Sequence, residues 1–333
     1  MVREEMASKP PSIRDIAYEA HVSISAVSHA FNRPNELSSD VCQRILRVAR
    51  ERGYRPDPRA RGLRRDESRL IALVITDLSN GFNATLAGAV QQAVTSHEYY
   101  LVVLTGGTPE DERHSLEAVY HERMAGAIVP AYSLTPAEVG QYARGRPVVF
   151  ITDSHVTFDG PSVRVDNFAA AYAATAYLAK QGRCRIAHIT GSLAVPPGSL
   201  RQAGYRQMMA DAGLGPPLEA AGDFTFPGGW RAMEELLDAA KPPDAVFVGN
   251  DSMAIGALRV LLARGIAVPD DIAVIGFDNI EEASWSTPPL TTMDHSIDQI
   301  GTTAARLLLA KLHDPSFAEM TNVNCTLVQR QSA

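Results

Sequence analysis

The sequence predicts an all-α head of three short helices followed by an α/β body of two parallel-sheet subdomains. Apolar residues repeat at helical spacing through residues 13–49, whereas from Leu70 short apolar runs alternate with longer amphipathic segments. Continuous β-branched runs between helices are typical of parallel strands covered on both faces. Seven runs are too many for one comfortable sheet: LIALVIT, YLVVLT, GAIVP, PVVFIT, RIAHIT, DAVFVG and IAVIGF.

The first element is a pair of helices that meet at a tight turn. Small and apolar residues share one face of each helix: Ile13, Ile16, Ala17 and Ala20 on the first, and Val27, Ala30 and Phe31 on the second. Ser23 is a suitable N-cap for the second helix. This pattern indicates a helix-turn-helix, whose second helix enters the major groove of DNA. An ordinary helical hairpin fits the same segment.

A third helix follows, with Ser38 or Ser39 as its N-cap and apolar residues at helical spacing: Val41, Ile45, Val48 and Ala49. It closes a small three-helix core. The exposed face of the second helix then carries the residues expected to contact bases: Ile24, Ser25, Ser28 and His29. Ser25 and His29 are one turn apart, so their side chains lie side by side.

Several motifs occur in one order along nearly the whole chain. They are IRDIA from Ile13, the run 22–32 that ends at Asn32, YRPD and LR within 54–64, DLSN from Asp77, NDSMAIG from Asn250, GFDN from Gly276 and PPLTT from Pro288. With them the sequence resembles the LacI/GalR family of bacterial transcription regulators. The resemblance implies a periplasmic-binding-protein-like body and a homodimer on a palindromic double-stranded DNA operator. It further implies repression of sugar or related metabolite genes through a small-molecule effector.

We expect the helix-turn-helix domain at 12–56, a hinge helix and linker at 57–68, and an effector-binding and dimerisation domain at 69–333. Within that domain, one subdomain is expected at about 69–165 and 294–319, and the other at about 166–293 and 322–330. Charge is divided in the same way. Residues 1–65 contain 13 Arg and Lys against 8 Asp and Glu, a net charge of +5. The whole chain has a net charge of −7, so residues 66–333 have a net charge of −12. Basic charge at the head suits contact with phosphates.

Ligand should bind between the subdomains, outside the carboxyl ends of the strands. The resemblance implies effector contacts at five positions: Phe82, Asn83, Arg201, Phe224 and Asp278. Other candidates are residues near strand ends and an aromatic residue near the C-terminal motif: Asp77, Asp153, Asn250, Asp251 and Trp285. Carboxylates and an Arg beside a ring suit a polyhydroxy ligand, because charged groups bond to hydroxyls while the ring covers an apolar face.

The hinge is predicted as a short helix from Pro58 to Arg64, too short to be stable alone. The resemblance implies Leu63 as a wedge in the minor groove and Ala60 at the close helix contact. It extends the DNA-contacting set to Asn32, Arg55 and Arg59, and we expect Arg61 to contact phosphates as well. A plain interdomain linker is the alternative.

The chain departs from the family pattern at several positions. His21 stands where the turn usually has Gly, and a left-handed His costs about 1 kcal/mol, so we expect a turn that is looser or differently set. His29 replaces an Arg and Ala26 replaces a Thr, which predicts weaker and more salt-tolerant DNA binding. Gly81-Phe82-Asn83 replaces Pro-Phe-Phe, which suggests a more polar ligand.

Composition narrows the class of protein. The three cysteines are scattered and lack metal-ligand spacing, as in a reducing compartment. Residues 1–12 lack the apolar core of a signal peptide, no segment is long and apolar enough for a membrane span, and we expect a cytoplasmic protein. A sugar transport receptor and an α/β enzyme are the alternatives. Common catalytic and phosphate-binding motifs are missing, so neither an enzyme nor a cofactor or metal is predicted.

Overall fold

The computed structural model describes residues 11–54, 68–130, 134–154 and 160–333. The chain divides into two compact units, Met1–Ser68 and Arg69–Ala333. The predicted hinge helix from Pro58 to Arg64 lies outside the described residues.

The first unit contains three α-helices: α1 (Ile13–Glu19), α2 (Ile24–Asn32) and α3 (Ser39–Glu51). A 3₁₀ turn, Pro34–Glu36, joins α2 to α3. The helices bury one small core, as the periodicity predicts: Ile16, Ala17, Ala20, Val27, Ala30, Cys42, Ile45, Val48 and Ala49. Ser23 caps α2 by accepting a hydrogen bond from the backbone N–H of Ala26, whereas Ser38 is the N-cap of α3 without a side-chain bond.

The turn between α1 and α2 is closed by two backbone hydrogen bonds. His21 takes the left-handed conformation, with φ of 51°. The N–H of His21 donates to the carbonyl of Tyr18 at 3.2 Å, and the N–H of Val22 donates to the carbonyl of Ala17 at 3.0 Å. These bonds satisfy the last carbonyls of α1. The His21 side chain is exposed, so nothing crowds its ring.

The second unit contains two six-stranded sheets. The first has the order β11-β5-β4-β3-β1-β2 and is parallel throughout. Its strands are β1 (Leu70–Ile75), β2 (Tyr100–Thr105), β3 (Gly126–Pro130), β4 (Val148–Asp153), β5 (Ser162–Val165) and β11 (Met320–Val323). Four helices accompany them: α4 (Gly81–Thr95), α5 (Pro109–His121), α6 (Pro136–Ala143) and α12 (Ile297–His313).

The second sheet has the order β12-β10-β9-β8-β6-β7, in which only β12 is antiparallel to its neighbour. Its strands are β6 (Ile186–Thr190), β7 (Leu218–Ala221), β8 (Ala245–Val248), β9 (Ala273–Phe277), β10 (Thr291–Asp294) and β12 (Thr326–Val328). The accompanying helices are α7 (Asn167–Lys180), α8 (Pro196–Asp211), α9 (Phe226–Leu237), α10 (Asp251–Ala263) and α11 (Glu281–Trp285).

The backbone passes between the two sheets three times, at residues 165–167, 294–297 and 323–326. One predicted boundary is wrong here. We expected 322–330 in the second subdomain, but Asn322 and Val323 pair with β5 in the first sheet. A strand of four residues without an apolar run has no sequence pattern that assigns it to one sheet or the other. In the part of the chain that the structure describes, no helix is long and apolar enough to cross a membrane.

Candidate functional site

The predicted base-contacting residues lie along the outer face of α2. Ile24 is 47% exposed, Ser25 and Asn32 are also exposed, and Ser28 and His29 are half-buried. Val27 and Ala30 face the core of the first unit, so they fix which side of α2 is free. The structure therefore brings all five residues together on one helix face.

Local bonds orient three of these side chains. The Nδ2 of Asn32 donates to the carbonyl of Ser28 at 2.9 Å, and Ser25 shares a hydroxyl hydrogen bond with Ser23 at 2.8 Å. The Nδ1 of His29 lies 3.4 Å from the Glu36 carboxylate, which also pairs with Arg33 at 3.1 Å. An acidic side chain thus lies directly beside His29. The remaining predicted DNA-contacting residues lie outside the described residues: Arg55, Arg59, Ala60, Arg61 and Leu63.

A cavity of about 560 Å³ lies in the second unit, between the carboxyl ends of the two sheets. Eight candidates from the sequence line it: Asp77, Phe82, Asn83, Asp153, Arg201, Phe224, Asn250 and Asp278. Its floor is polar and buried, whereas its second-sheet side is rich in apolar residues: Val195, Pro196, Pro197, Phe224, Phe226 and Pro227. Such a lining suits a ligand with one polar and one apolar part.

Arg201 lies in the floor with 5% of its surface exposed. Its Nε donates to Oδ1 of Asn167 at 2.9 Å, and its Nη1 donates to the carbonyl of Gly249. The guanidinium carbon lies 3.5 Å from the centre of the Phe277 ring. Stacking and hydrogen bonding together fix the plane of the guanidinium.

Asp278 is presented to the cavity by an unusual backbone. It follows β9 with φ of 115°, and Asn279 has φ of 60°. The side chain of Asn279 donates to Asp294 at 3.2 Å and accepts from Arg330 at 2.6 Å, which secures the turn. The carboxylate of Asp278 lies 3.6 Å from Arg201. Left-handed non-glycine residues persist only where the surroundings hold them, and they are common at binding sites.

Two predicted residues line the cavity but use their polar atoms for local structure. The Nδ2 of Asn83 donates to the Thr76 hydroxyl at 3.1 Å and to the carbonyl of Asp77 at 2.8 Å. Asn250 caps α10, and its Nδ2 donates to the carbonyl of Phe224 at 3.1 Å. These bonds hold the start of α4, which carries Phe82, and the segment that carries Phe224 at the cavity.

The ring of Phe224 occupies space that only a glycine leaves open. A Cβ on Gly191 would lie 2.0 Å from Cζ of Phe224. Phe224 itself has φ of 65°, and its carbonyl is held by Asn250. The ring therefore has a fixed place in the cavity wall.

Asp251 does not line the cavity, so its prediction as an effector contact is wrong. It is 0% exposed, and its carboxylate accepts hydrogen bonds from the Thr292 hydroxyl at 2.6 Å and from the Ile280 N–H at 3.0 Å. A Cβ on Gly276 would lie 2.1 Å from its Oδ1. Burial, and then the charge of Asp278, raise the pKa of Asp251 well above its usual range.

Trp285 is likewise wrong as a cavity candidate. It ends α11, is 66% exposed and lies outside the cavity lining. A residue close to a strand end in sequence can still point away from the cleft. For Asp251 the helix α10 turns the side chain beneath the Asp278 loop, whereas the neighbouring Asn250 faces the opening.

Sequence reasoning missed His295, a cavity residue with 3% of its surface exposed. Its ring stacks on Phe82 with centroids 5.2 Å apart and meets Phe277 edge to face at 5.3 Å. Nε2 lies 3.4 Å from Oδ1 of Asp278, yet neither ring nitrogen makes a hydrogen bond to the residues described. His295 directly follows β10, so the rule about strand ends would have found it had that short strand been predicted.

Sequence reasoning also missed Asn167, the first residue of α7. It is 5% exposed and lines the cavity between Asp153 and Arg201. Its Nδ2 donates to Oδ2 of Asp153 at 2.9 Å, while its Oδ1 accepts from Arg201. The preceding strand β5 has only four residues, and no pattern in the sequence marked it.

No group of His, Cys, Asp and Glu suited to a metal ion occurs among the residues placed in the structure. The floor offers hydrogen bonding and charge through a fixed guanidinium, two carboxylates, an imidazole and amides. Together with the apolar side, these groups suit reversible binding of a polar organic ligand.

Comparison with known proteins identifies both units. Residues 12–57 match the family described as "Bacterial regulatory proteins, lacI family", and residues 175–333 match the "Periplasmic binding protein-like domain". The chain is 33% identical over 328 residues to the HTH-type transcriptional repressor CytR of Escherichia coli (strain K12), with 96% of each chain covered. It is 34% identical over 328 residues to the ribose operon repressor of the same organism, covering 97% of this chain and 99% of that one.

Solved structures give the same result. A Lac repressor dimer bound to operator and the anti-inducer ONPF superimposes with a TM-score of 0.87 at 25% identity, covering 97% of this chain and 99% of that chain. A complex of the transcriptional regulator CelR with cellobiose superimposes with a TM-score of 0.72 at 28% identity, covering 97% and 100%. The predicted fold class is thereby confirmed.

Proposed function

Since the chain belongs to the lacI family of bacterial regulatory proteins, we propose that it is a dimeric repressor of sugar or related metabolite genes whose affinity for its operator changes with a small-molecule effector. The observation that carries the effector part is the cavity floor, where Arg201 and Asp278 lie 3.6 Å apart and both are buried. A fixed guanidinium and a carboxylate can bond to neighbouring hydroxyls of one ligand.

The effector is a sugar or a sugar-containing metabolite. The curated relatives are named as repressors, one of them of the ribose operon, and a structural neighbour is a complex with cellobiose. The wall of the cavity supports the same class, because Phe82 and Phe224 offer ring faces while the floor offers polar groups. Effector contacts come from seven predicted residues and His295: Phe82, Asn83, Asp153, Arg201, Phe224, Asn250 and Asp278.

The DNA contacts come from the head and the hinge. Ser25, Ser28 and His29 meet base edges, supported by Ile24 and Asn32 on the same face of α2. The hinge contacts stay a prediction from the resemblance: Arg55, Arg59, Ala60 and Leu63. Two heads are needed because one makes too few base contacts for useful specificity, so the operator repeats with the two-fold symmetry of a homodimer.

Coupling runs from the cavity to the DNA through the relative position of the two sheets. A ligand that binds more tightly to one arrangement of the sheets increases the population of that arrangement, and this changes the distance between the two hinges of the dimer.

The protein acts in the cytoplasm, where a bacterial operator is located. It uses no cofactor and has no catalytic role, and the relatives' names, all of regulators, support this over an enzyme or a transport receptor.

Selection of binding sites from randomised double-stranded DNA tests the proposal. The expected product is an inverted repeat bound by a dimer in sedimentation. Adding D-ribose, cellobiose or nucleosides one at a time, in thermal-shift and mobility-shift measurements, identifies the effector through a joint change in melting temperature and operator affinity. Enrichment of no sequence, or a stable monomer on a single half-site, would contradict the proposal.

A further inference from the structure

Three buried side chains connect the two halves of the second unit across the cavity floor. Asp153 ends β4 in the first sheet, whereas Arg201 lies on α8 beside the second. Between them, Asn167 donates from Nδ2 to Oδ2 of Asp153 at 2.9 Å and accepts at Oδ1 from Nε of Arg201 at 2.9 Å. A continuous series of hydrogen bonds therefore runs from one sheet to the other.

Asn167 makes two hydrogen bonds to Asp153 of the first sheet. The backbone N–H of Asn167 also donates to Oδ2 of Asp153, at 3.0 Å. This N–H opens α7, so the carboxylate lies at the positive end of a helix that belongs to the second sheet. Asp153 is 2% exposed, and Asn167 and Arg201 are each 5% exposed, so water competes little for these bonds.

The position of Asn167 requires a side chain that accepts on one side and donates on the other. A carboxylate only accepts and a guanidinium only donates, so a side chain that bonds to both needs one atom of each kind. The amide meets this requirement in one orientation. An acidic residue here would face Asp153 with like charge, and an apolar residue would remove the side-chain bond that each partner makes to the amide.

We propose that Asn167 is a positioning residue that holds Arg201 in the floor and, through Arg201 and Asp153, sets the angle between the two sheets. The inference rests on the proposed function only in taking the cavity as the ligand site. A ligand that draws Arg201 or Asp153 to itself breaks this series of bonds at Asn167. Ligand binding in the cavity would thus change the angle between the two halves through the side-chain amide of Asn167.

Exchanging donor and acceptor across this contact tests the inference. Asn167→Asp keeps the acceptor for Arg201 but places a second carboxylate against Asp153, which separates the halves. In the double variant with Asp153→Asn, the new amide at position 153 donates to the new carboxylate at position 167. The hydrogen bond between the two positions is thereby restored with its direction reversed. The link carries charge-assisted bonds, so breaking it should raise the ratio of open to closed arrangements about tenfold.

The measurement is a distance between spin labels on either side of the cavity mouth, at Leu78→Cys and Leu193→Cys. Both positions are about half exposed, and each neighbours residues that line the cavity. Cys184 and Cys325 are replaced by Ser, and labelled protein is mixed with excess unlabelled protein so that only distances within one chain are detected. Far-UV circular dichroism checks that each variant is folded.

A longer second population in Asn167→Asp that disappears in the double variant would support the inference. Arg201→Lys should produce the same population, because Lys retains the charge but lacks Nε. Arg206→Lys is the matched control, since Arg206 pairs with Glu219 within the second half. If Asn167→Asp does not fold, Asn167→Ala takes its place and the Arg201→Lys comparison still decides the question.

An unchanged distance distribution in the folded variants, or an altered one that Asp153→Asn does not reverse, would overturn the inference. The experiment uses neither ligand nor DNA. A failure to find an operator would therefore count against the proposed function while leaving this result standing.

Discussion

The guanidinium of Arg201 lies 3.6 Å from the carboxylate of Asp278, and each side chain is 6% exposed. The two residues come from different segments, α8 and the turn after β9, and meet only in the folded second unit. A buried pair contributes little net stability, but removing one partner leaves an uncompensated charge. The pair is therefore a fixed part of the cavity as well as its strongest polar feature.

We predict that Arg201→Ala or Asp278→Ala abolishes the response to the effector and lowers the free energy of unfolding by about 3–5 kcal/mol, because each removes one partner of a buried ion pair. Urea unfolding and thermal shift with the effector found in the screen measure the two effects. Arg206→Ala removes an exposed ion pair instead and should cost at most about 1 kcal/mol. A wild-type ligand shift in both cavity variants would show that the effector binds elsewhere.

The base preference of the head is predicted to depend on His29, which lies on the outer face of α2 beside Glu36. His29→Ala should change the preferred base at one position in each half-site by about 1–3 kcal/mol, since a good base contact contributes that much. Selection from randomised DNA measures the profile. An identical profile for the variant would assign base recognition to other residues.

Leu63→Ala is predicted to weaken operator binding more than binding to random DNA. A wedge acts only where the central base step can be unstacked, whereas basic side chains hold any phosphate backbone. Affinities for the operator and for random DNA at one salt concentration separate the two effects. Equal losses on both would indicate that Leu63 is a linker residue.

Acid should destabilise the second unit through His188, which is buried in the second sheet and stacks on Phe247 with centroids 4.8 Å apart. Burial lowers its pKa from 6.5 to about 4, although its Nδ1 bonds to the carbonyl of Phe247 at 2.9 Å. The unfolded chain therefore binds more protons between pH 6.5 and 4. The free energy of unfolding is unaffected by His188 above pH 6.5 and decreases as the pH falls from 6.5 to 4. Below pH 4 the total decrease is about 3 kcal/mol.

The urea midpoint measured from pH 7.5 to pH 4 tests this prediction. His188→Asn keeps a donor for the Phe247 carbonyl without the titrating ring, so its midpoint should fall less with acid than that of the wild type. His97→Asn, a change at an exposed histidine, is the control. Parallel pH profiles for wild type and His188→Asn would refute the assignment.

The long elements of the fold were predictable because their periodicity is strong. All seven predicted strands exist, but the five missed ones are three or four residues long: β5, β7, β10, β11 and β12. Two of them precede Asn167 and His295, so these cavity residues were missed as well. Proximity to a strand end located Asp153 and Asn250 at the cavity but misplaced Asp251, because the direction of a side chain depends on how the following helix packs.

The three passages of the backbone between the sheets have a consequence for synthesis on the ribosome. Residues 12–54 include the whole three-helix core and can fold as soon as they emerge. The first sheet contains β11, so it stays incomplete until residue 323 has been translated, although its other strands end at residue 165. The edge of β5 that β11 later covers is open in the nascent chain for about the last half of elongation, and an open strand edge can pair with other chains.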